Sequence, residues 1–107
     1  EYYPVQYYLR GEGDEVLGGL LGNIWGTWMH VHVLWVAQVA RGKGHASKMM
    51  QAAEEYALRR GCTGVHLETF SFRARPFYEK LGYTVFGELS DYPAGHSEFF
   101  MKKSLAK

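Results

Sequence analysis

The stretch from Leu34 to Arg60 constrains this chain more than any other. An apolar run ending at Val36 gives way to a short basic turn with two glycines, Arg41-Gly42-Lys43-Gly44. A long segment follows in which Ala46, Met49, Met50, Ala53, Tyr56 and Ala57 recur at three- and four-residue spacing. That spacing lines one side of an α-helix, so the segment is read as a helix with a buried stripe and a polar face. Glu55 stands four residues before Arg59, the favourable order for an ion pair along a helix, and Gly61 suits a left-handed cap at the end. The start of the helix is different. No Ser, Thr, Asp or Asn sits where an N-cap is wanted, and Arg41 and Lys43 add positive charge where the helix dipole is already positive.

A start that breaks local rules in this way points to a functional site, and here the missing partner would be an anion. Gly42 and Gly44 let the backbone approach closely, the amides of the first turn can donate to phosphate oxygens, and Arg41 and Lys43 supply charge. The reading is therefore a phosphate or pyrophosphate site; the competing one is a solvated basic turn ahead of a surface helix. The P-loop spacing is absent, and a dinucleotide fingerprint begun at Gly42 would place its third small residue at Ser47. A third pattern fits: Arg/Gln-x-x-Gly-x-Gly/Ala is matched by Arg41-Gly42-Lys43-Gly44-His45-Ala46, five residues after Val36. This resembles the coenzyme A cradle of the GCN5-related N-acetyltransferases, the GNAT superfamily.

At 107 residues the chain is one domain, residues 1–107, with no room for a second core. Hydrophobic content of 47% and 16% aromatics point to a packed globule. A net charge of +1 gives no reason to expect a nucleic-acid or membrane partner. The single cysteine, Cys62, excludes an internal disulfide and reads as a small buried side chain at a helix-to-strand junction. No apolar run approaches the roughly twenty residues of a membrane span, and no signal sequence opens the chain, so a cytoplasmic protein is expected.

In order, residues 5–9 read as a strand and residues 10–14 as a turn. Residues 15–25 form a second strand interrupted by Gly18, Gly19 and Gly22, which mark a bulge, a bend or close approach of another backbone. After a turn at Gly26-Thr27, residues 28–36 alternate, with Met29, Val31, Val33 and Trp35 on one face and Trp28, His30, His32, Leu34 and Val36 on the other. Beyond the long helix come a strand at 64–70, parallel to its predecessor, and a short helix near 73–81, with Pro76 in its first turn and Gly82 closing it. A strand at 83–89, a loop at 90–96 and a last strand at 98–105 complete the chain. The order β-β-β-α-β-α-β-β gives an α/β (α+β) fold around one mixed sheet.

The resemblance extends over nearly the whole chain. Phe77-Tyr78-Glu79-Lys80-Leu81-Gly82-Tyr83 is similar to the family's second signature, Phe-Tyr-x-Lys-x-Gly-Phe/Tyr, and Leu67–Phe72 and Asp91–His96 look like a bacterial branch of small acetyltransferases. The family normally starts with a strand and two helices; this sequence enters at the second strand, a GNAT-like sheet truncated at its N-terminus. A sheet without its first strand leaves an edge for another chain, so a homodimer or higher assembly is expected.

The resemblance implies direct acetyl transfer from acetyl-CoA to the amine of a small molecule or protein. It assigns the pyrophosphate to the amides of residues 41–46, and the pantetheine arm and thioester to the backbone at Val36 and Ala37. Tyr78 matches the family's tyrosine and can protonate the leaving thiolate. His30 lies eleven residues before Arg41, where histone acetyltransferases of the family carry a glutamate base. Histidine as a residue type suits proton transfer at neutral pH, and His32 shares the same face of the strand. Glu68 and His96 are the alternatives for the base. The two histidines could also be half of a metal site, but no third ligand has fitting spacing and no metal is expected. The different functional class kept open is a non-catalytic acyl-CoA-binding or regulatory module.

Overall fold

The computed structural model describes residues 2–72 and 74–105. It contains β1 (Tyr2–Arg10), β2 (Val16–Trp25), β3 (Trp28–Val36), a 3₁₀ turn (Gln38–Ala40), α1 (His45–Arg59), β4 (Gly64–Phe70), α2 (Arg75–Lys80), β5 (Thr84–Ser90) and β6 (Ser97–Ser104). The strands form one sheet in the order β1-β2-β3-β4-β6-β5, with β3 and β4 the parallel pair and the other neighbours antiparallel. Element order and type follow the sequence reading. No helix among the described residues is long and apolar enough to cross a membrane.

One face of the sheet carries the core. Val5, Leu20, Ile24, Met29, Val31, Val65, Leu67, Phe99 and Met101 pack there against the stripe of α1, where Met49, Met50, Ala53 and Ala57 are buried, and against Tyr78 of α2. Gly61, at φ +86°, turns the chain out of α1, as expected, and Cys62 is buried just beyond. The i, i+4 ion pair falls in α2, Arg75 Nε to Glu79 Oε2 at 2.9 Å, rather than between Glu55 and Arg59. Glu54 of α1 accepts from the Tyr83 hydroxyl (2.7 Å) and from Lys103 Nζ (2.8 Å), tying α1 to β6 and to the turn after α2. Burial and that hydrogen bond push the Tyr83 phenol far above the ordinary tyrosine range.

The simple alternation expected along β3 does not hold. Gly22 pairs with Val31 while Leu21 pairs with Val33, so His32 is an extra residue on β3, a bulge. The inserted residue reverses the phase of the strand: Met29 and Val31 face the core, but beyond His32 it is Leu34 and Val36 that pack inward, while Val33 and Trp35 are exposed. The glycines of β2 answer to this geometry. A Cβ on Gly18 would lie 2.8 Å from the Trp35 carbonyl oxygen, one on Gly19 would lie 3.2 Å from Trp35 Nε1, and one on Gly22 would collide with the His30 carbonyl.

The pairing of β3 with β4 ends at Val31 and Leu67, although β3 runs on to Val36 and β4 to Phe70. The two strands therefore splay. Their gap, the bulge and the face of the sheet that no described helix covers place the site.

Candidate active site

Past Val31 the gap between β3 and β4 is a slot of about 400 Å³. Its lining includes Val31, Leu67 and Thr69 from the core face together with His32 and Glu68 from the opposite face, because the edges of both strands form its walls. Tyr78 stands at its side and also borders a second depression of about 300 Å³ with Leu34, Val36, Arg41, Ala46 and Phe77. A third, again about 300 Å³, continues over the start of α1 and is lined by Arg41, Gly42, Gly44, His45, Ala46 and Ser47 among others. The three share walls and form one groove from the helix start to the slot.

At the helix end of the groove, Gly42 and Gly44 adopt φ of +78° and +80°, conformations that only glycine takes without strain. A Cβ at either would meet nothing within 4 Å, so the space over both residues is open to a ligand. Gly44 is the N-cap of α1 and no side chain caps it. The first bond of the helix ladder runs from the Lys48 amide to the Gly44 carbonyl at 3.1 Å, which puts the amides of His45, Ala46 and Ser47 ahead of it. These features fit a diphosphate: close backbone, free donors and the positive end of a dipole. Arg41 is turned back, its Nε donating to the Val36 carbonyl at 2.8 Å, while the Ala37 amide donates to the Leu17 carbonyl at 2.7 Å. Those two groups of the expected pantetheine backbone are thus already paired, and Ala37 and Lys43 are absent from the lining of the helix-end depression. The edge of β3 facing the slot, residues 32–36, has no strand beside it to satisfy it.

At the slot end, His30 and His66 are register partners on β3 and β4, and their imidazole rings stack with centroids 4.4 Å apart and planes 2° from parallel. His30 Nε2 lies 2.9 and 3.0 Å from the two Glu68 oxygens. The carboxylate can only accept, which puts the proton on Nε2 and leaves the lone pair on Nδ1. His32 bonds through Nε2 to the side-chain oxygen of buried Asn23, and its ring meets that of His30 edge-on at 4.2 Å. Desolvation, then repulsion from His30, holds both His66 and His32 below the ordinary histidine value, with Glu68 opposing. Tyr78 is 8% exposed, and burial pushes its phenol above the ordinary tyrosine value.

Of the residues singled out from the sequence, Arg41, Gly42, Gly44, His45 and Ala46 line one end of the groove with Val36, and Tyr78 borders its middle; Glu68 lines the slot, while His30 is absent from that lining and reaches it only through its bond to Glu68. His96 stands apart, with Nδ1 3.5 Å from Ser71 Oγ and its ring edge-on to Phe72. His66 was not anticipated; its signal was the shared spacing His30-x-His32 and His66-x-Glu68 on two strands expected to be parallel neighbours.

A mixed sheet whose single parallel pair splays beside a glycine-shaped helix start defines an acetyltransferase of the GNAT type. The model of the Acetyltransferase (GNAT) family matches residues 1–83, and the chain belongs to that family. It is 39% identical over 99 residues to blasticidin-S acetyltransferase of Streptomyces morookaense, covering 92% of this chain and 73% of the relative. Acetyltransferase Atu2258 of Agrobacterium fabrum is 36% identical over 95 residues, covering 89% of this chain and 69% of that one. Among solved structures, an acetyltransferase from Bacillus cereus superposes with a TM-score of 0.93 at 34% identity, covering 97% of this chain and 74% of its own.

Proposed function

We propose that the chain is an acetyl-CoA-dependent N-acetyltransferase that passes the acetyl group directly to the amine of a small molecule. The observation that carries this reading is the groove that runs from the open amides of α1, past Tyr78, to Glu68, the carboxylate that holds His30 Nε2. Gly42, Gly44 and the amides of residues 45–47 hold the diphosphate of the donor, and the unpaired edge of β3 holds its arm. Acetyl-CoA, when bound, supplies the activated acyl group. His30 Nδ1 takes the proton from the acceptor nitrogen, and Glu68 fixes the ring and stabilises the imidazolium. Tyr78 gives its proton to the departing sulfur. The acceptor enters from the face of the sheet opposite the helices. The relative named blasticidin-S acetyltransferase makes blasticidin S the first acceptor to try.

The test combines calorimetric titration with CoA and a thiol-release assay across a panel of amines that includes blasticidin S. Binding is expected, and thiol release that depends on the amine, with His30→Ala slowing transfer by about 100-fold while CoA affinity stays unchanged. Binding without amine-dependent thiol release, for any acceptor in the panel, would make the chain an acyl-CoA-binding module instead. Failure to bind CoA at all would remove the reading altogether.

A further inference from the structure

We infer that His30, His66 and Glu68 form a binding site for a divalent transition-metal ion of the zinc type. One ligand atom from each of the three lies within 4.8 Å of the others, on one face of the sheet, carried by neighbouring strands in fixed register. Two imidazoles and a carboxylate are the ligand types that zinc and its neighbours prefer over magnesium or calcium. Zinc bonds to nitrogen and carboxylate oxygen at about 2.0–2.2 Å, so two of its ligands stand roughly 3.3–3.6 Å apart at the tetrahedral angle. His30 Nε2 and the Glu68 oxygens, at 2.9 and 3.0 Å, need to open only slightly to admit an ion. The ion would take the place of the proton that this pair now shares. His66 needs only a side-chain rotation to complete the set, because its ring is stacked on that of His30.

The surroundings suit a dication. Glu68 brings negative charge to a half-buried position, with 25% of the His30 side chain and 30% of that of Glu68 accessible, so an ion can enter without unfolding. Lys102, which pairs with His66 in the β4–β6 register, sends its ammonium over the Phe86 ring 5.4 Å away. His32 is held by Asn23 and stands at the edge of the cluster. β-strands that carry His-x-His and His-x-Glu side by side present four metal-binding side chains on a rigid surface, and the sheet holds their backbones fixed whether or not an ion is present.

The inference is tested with untagged protein stripped by EDTA and titrated calorimetrically with zinc chloride, with cobalt chloride absorption as a second readout. One equivalent of zinc should bind, and cobalt should give the visible band of a low-coordinate site. His66→Gln and Glu68→Gln should each weaken zinc binding at least about tenfold, with circular dichroism and CoA binding unchanged, while His96→Ala should bind like the parent. Imidazole resonances of the unaltered protein give a readout that needs no variant: zinc should shift those of His30 and His66 and leave those of His45 and His96 in place. No stoichiometric uptake, affinity equal to the parent's in both glutamine variants, or shifts confined to other histidines would each overturn the inference. None of these readouts involves acetyl transfer, so failure of the metal site is distinguishable from failure of the proposed acid–base roles; an ion on His30 Nε2 leaves the ring proton on Nδ1, so bound zinc and the base role exclude one another in any one molecule.

Discussion

Tyr78→Phe is expected to lower kcat for acetyl transfer by about two orders of magnitude or more, the range lost when a positioned general acid is removed. The apparent affinity for acetyl-CoA and the melting temperature should move little. The reasons are geometric. The Tyr78 ring packs edge-on against Phe77 at 5.1 Å and Tyr83 at 5.9 Å, and phenylalanine keeps both contacts. What the substitution deletes is one hydroxyl on a residue that borders both the slot and the middle of the groove. Burial raises the phenol above its ordinary value, so it stays protonated through the neutral range and is charged with a proton at every encounter. Single-turnover transfer with saturating acetyl-CoA is the measurement. An unchanged rate would return Tyr78 to the role of a core tyrosine.

Gly22→Ala is expected to destabilise the fold by about 3 kcal/mol or more, at the upper end of overpacking changes. The residue the new methyl group would meet is no flexible side chain that could yield: it is the carbonyl of His30, inside the β2–β3 ladder. Relief requires the two strands to separate or the bulge at His32 to be lost. Loss of the bulge would reverse Leu34 and Val36 with respect to the core, a further penalty in exposed apolar surface. Urea denaturation followed by tryptophan fluorescence gives the value, and Gly26→Ala offers a comparison. Gly26 has φ +64° but open space around its Cβ, so its loss is limited to local backbone strain of roughly 1–2 kcal/mol. Gly22→Ala no worse than Gly26→Ala would mean that β2 and β3 can move apart freely.

These two positions also show what the amino-acid order made legible. The order of elements could be read because each has a local signature: the apolar stripe of α1, Gly61 and Gly82 as stops, Pro76 at the head of α2. The helix start is marked by what it lacks, and Gly18, Gly19 and Gly22 mark a crowded backbone in the sequence alone. The location of the extra residue did not follow, because a bulge is a property of two strands in register and His32 by itself looks like any other strand residue. The phase of Val33 through Val36 was misread for that reason. His66 escaped for a related one: His30 and His66 are far apart along the chain and meet only through the parallel pairing that sets His30 beside His66. Chemistry borne by a single segment could be read from its spacing, whereas chemistry shared between strands required the alignment of both.

Because the slot opens between two diverging strands, it would give the two reactants of the proposed transfer separate doorways. A donor seated against α1 would leave the far side to the acceptor. On that proposal neither would have to depart before the other arrived, and no side chain would have to store the acyl group between visits. The wedge between the strands would then set the traffic pattern: a ternary meeting at the centre of the sheet, with each product leaving by the way its precursor came.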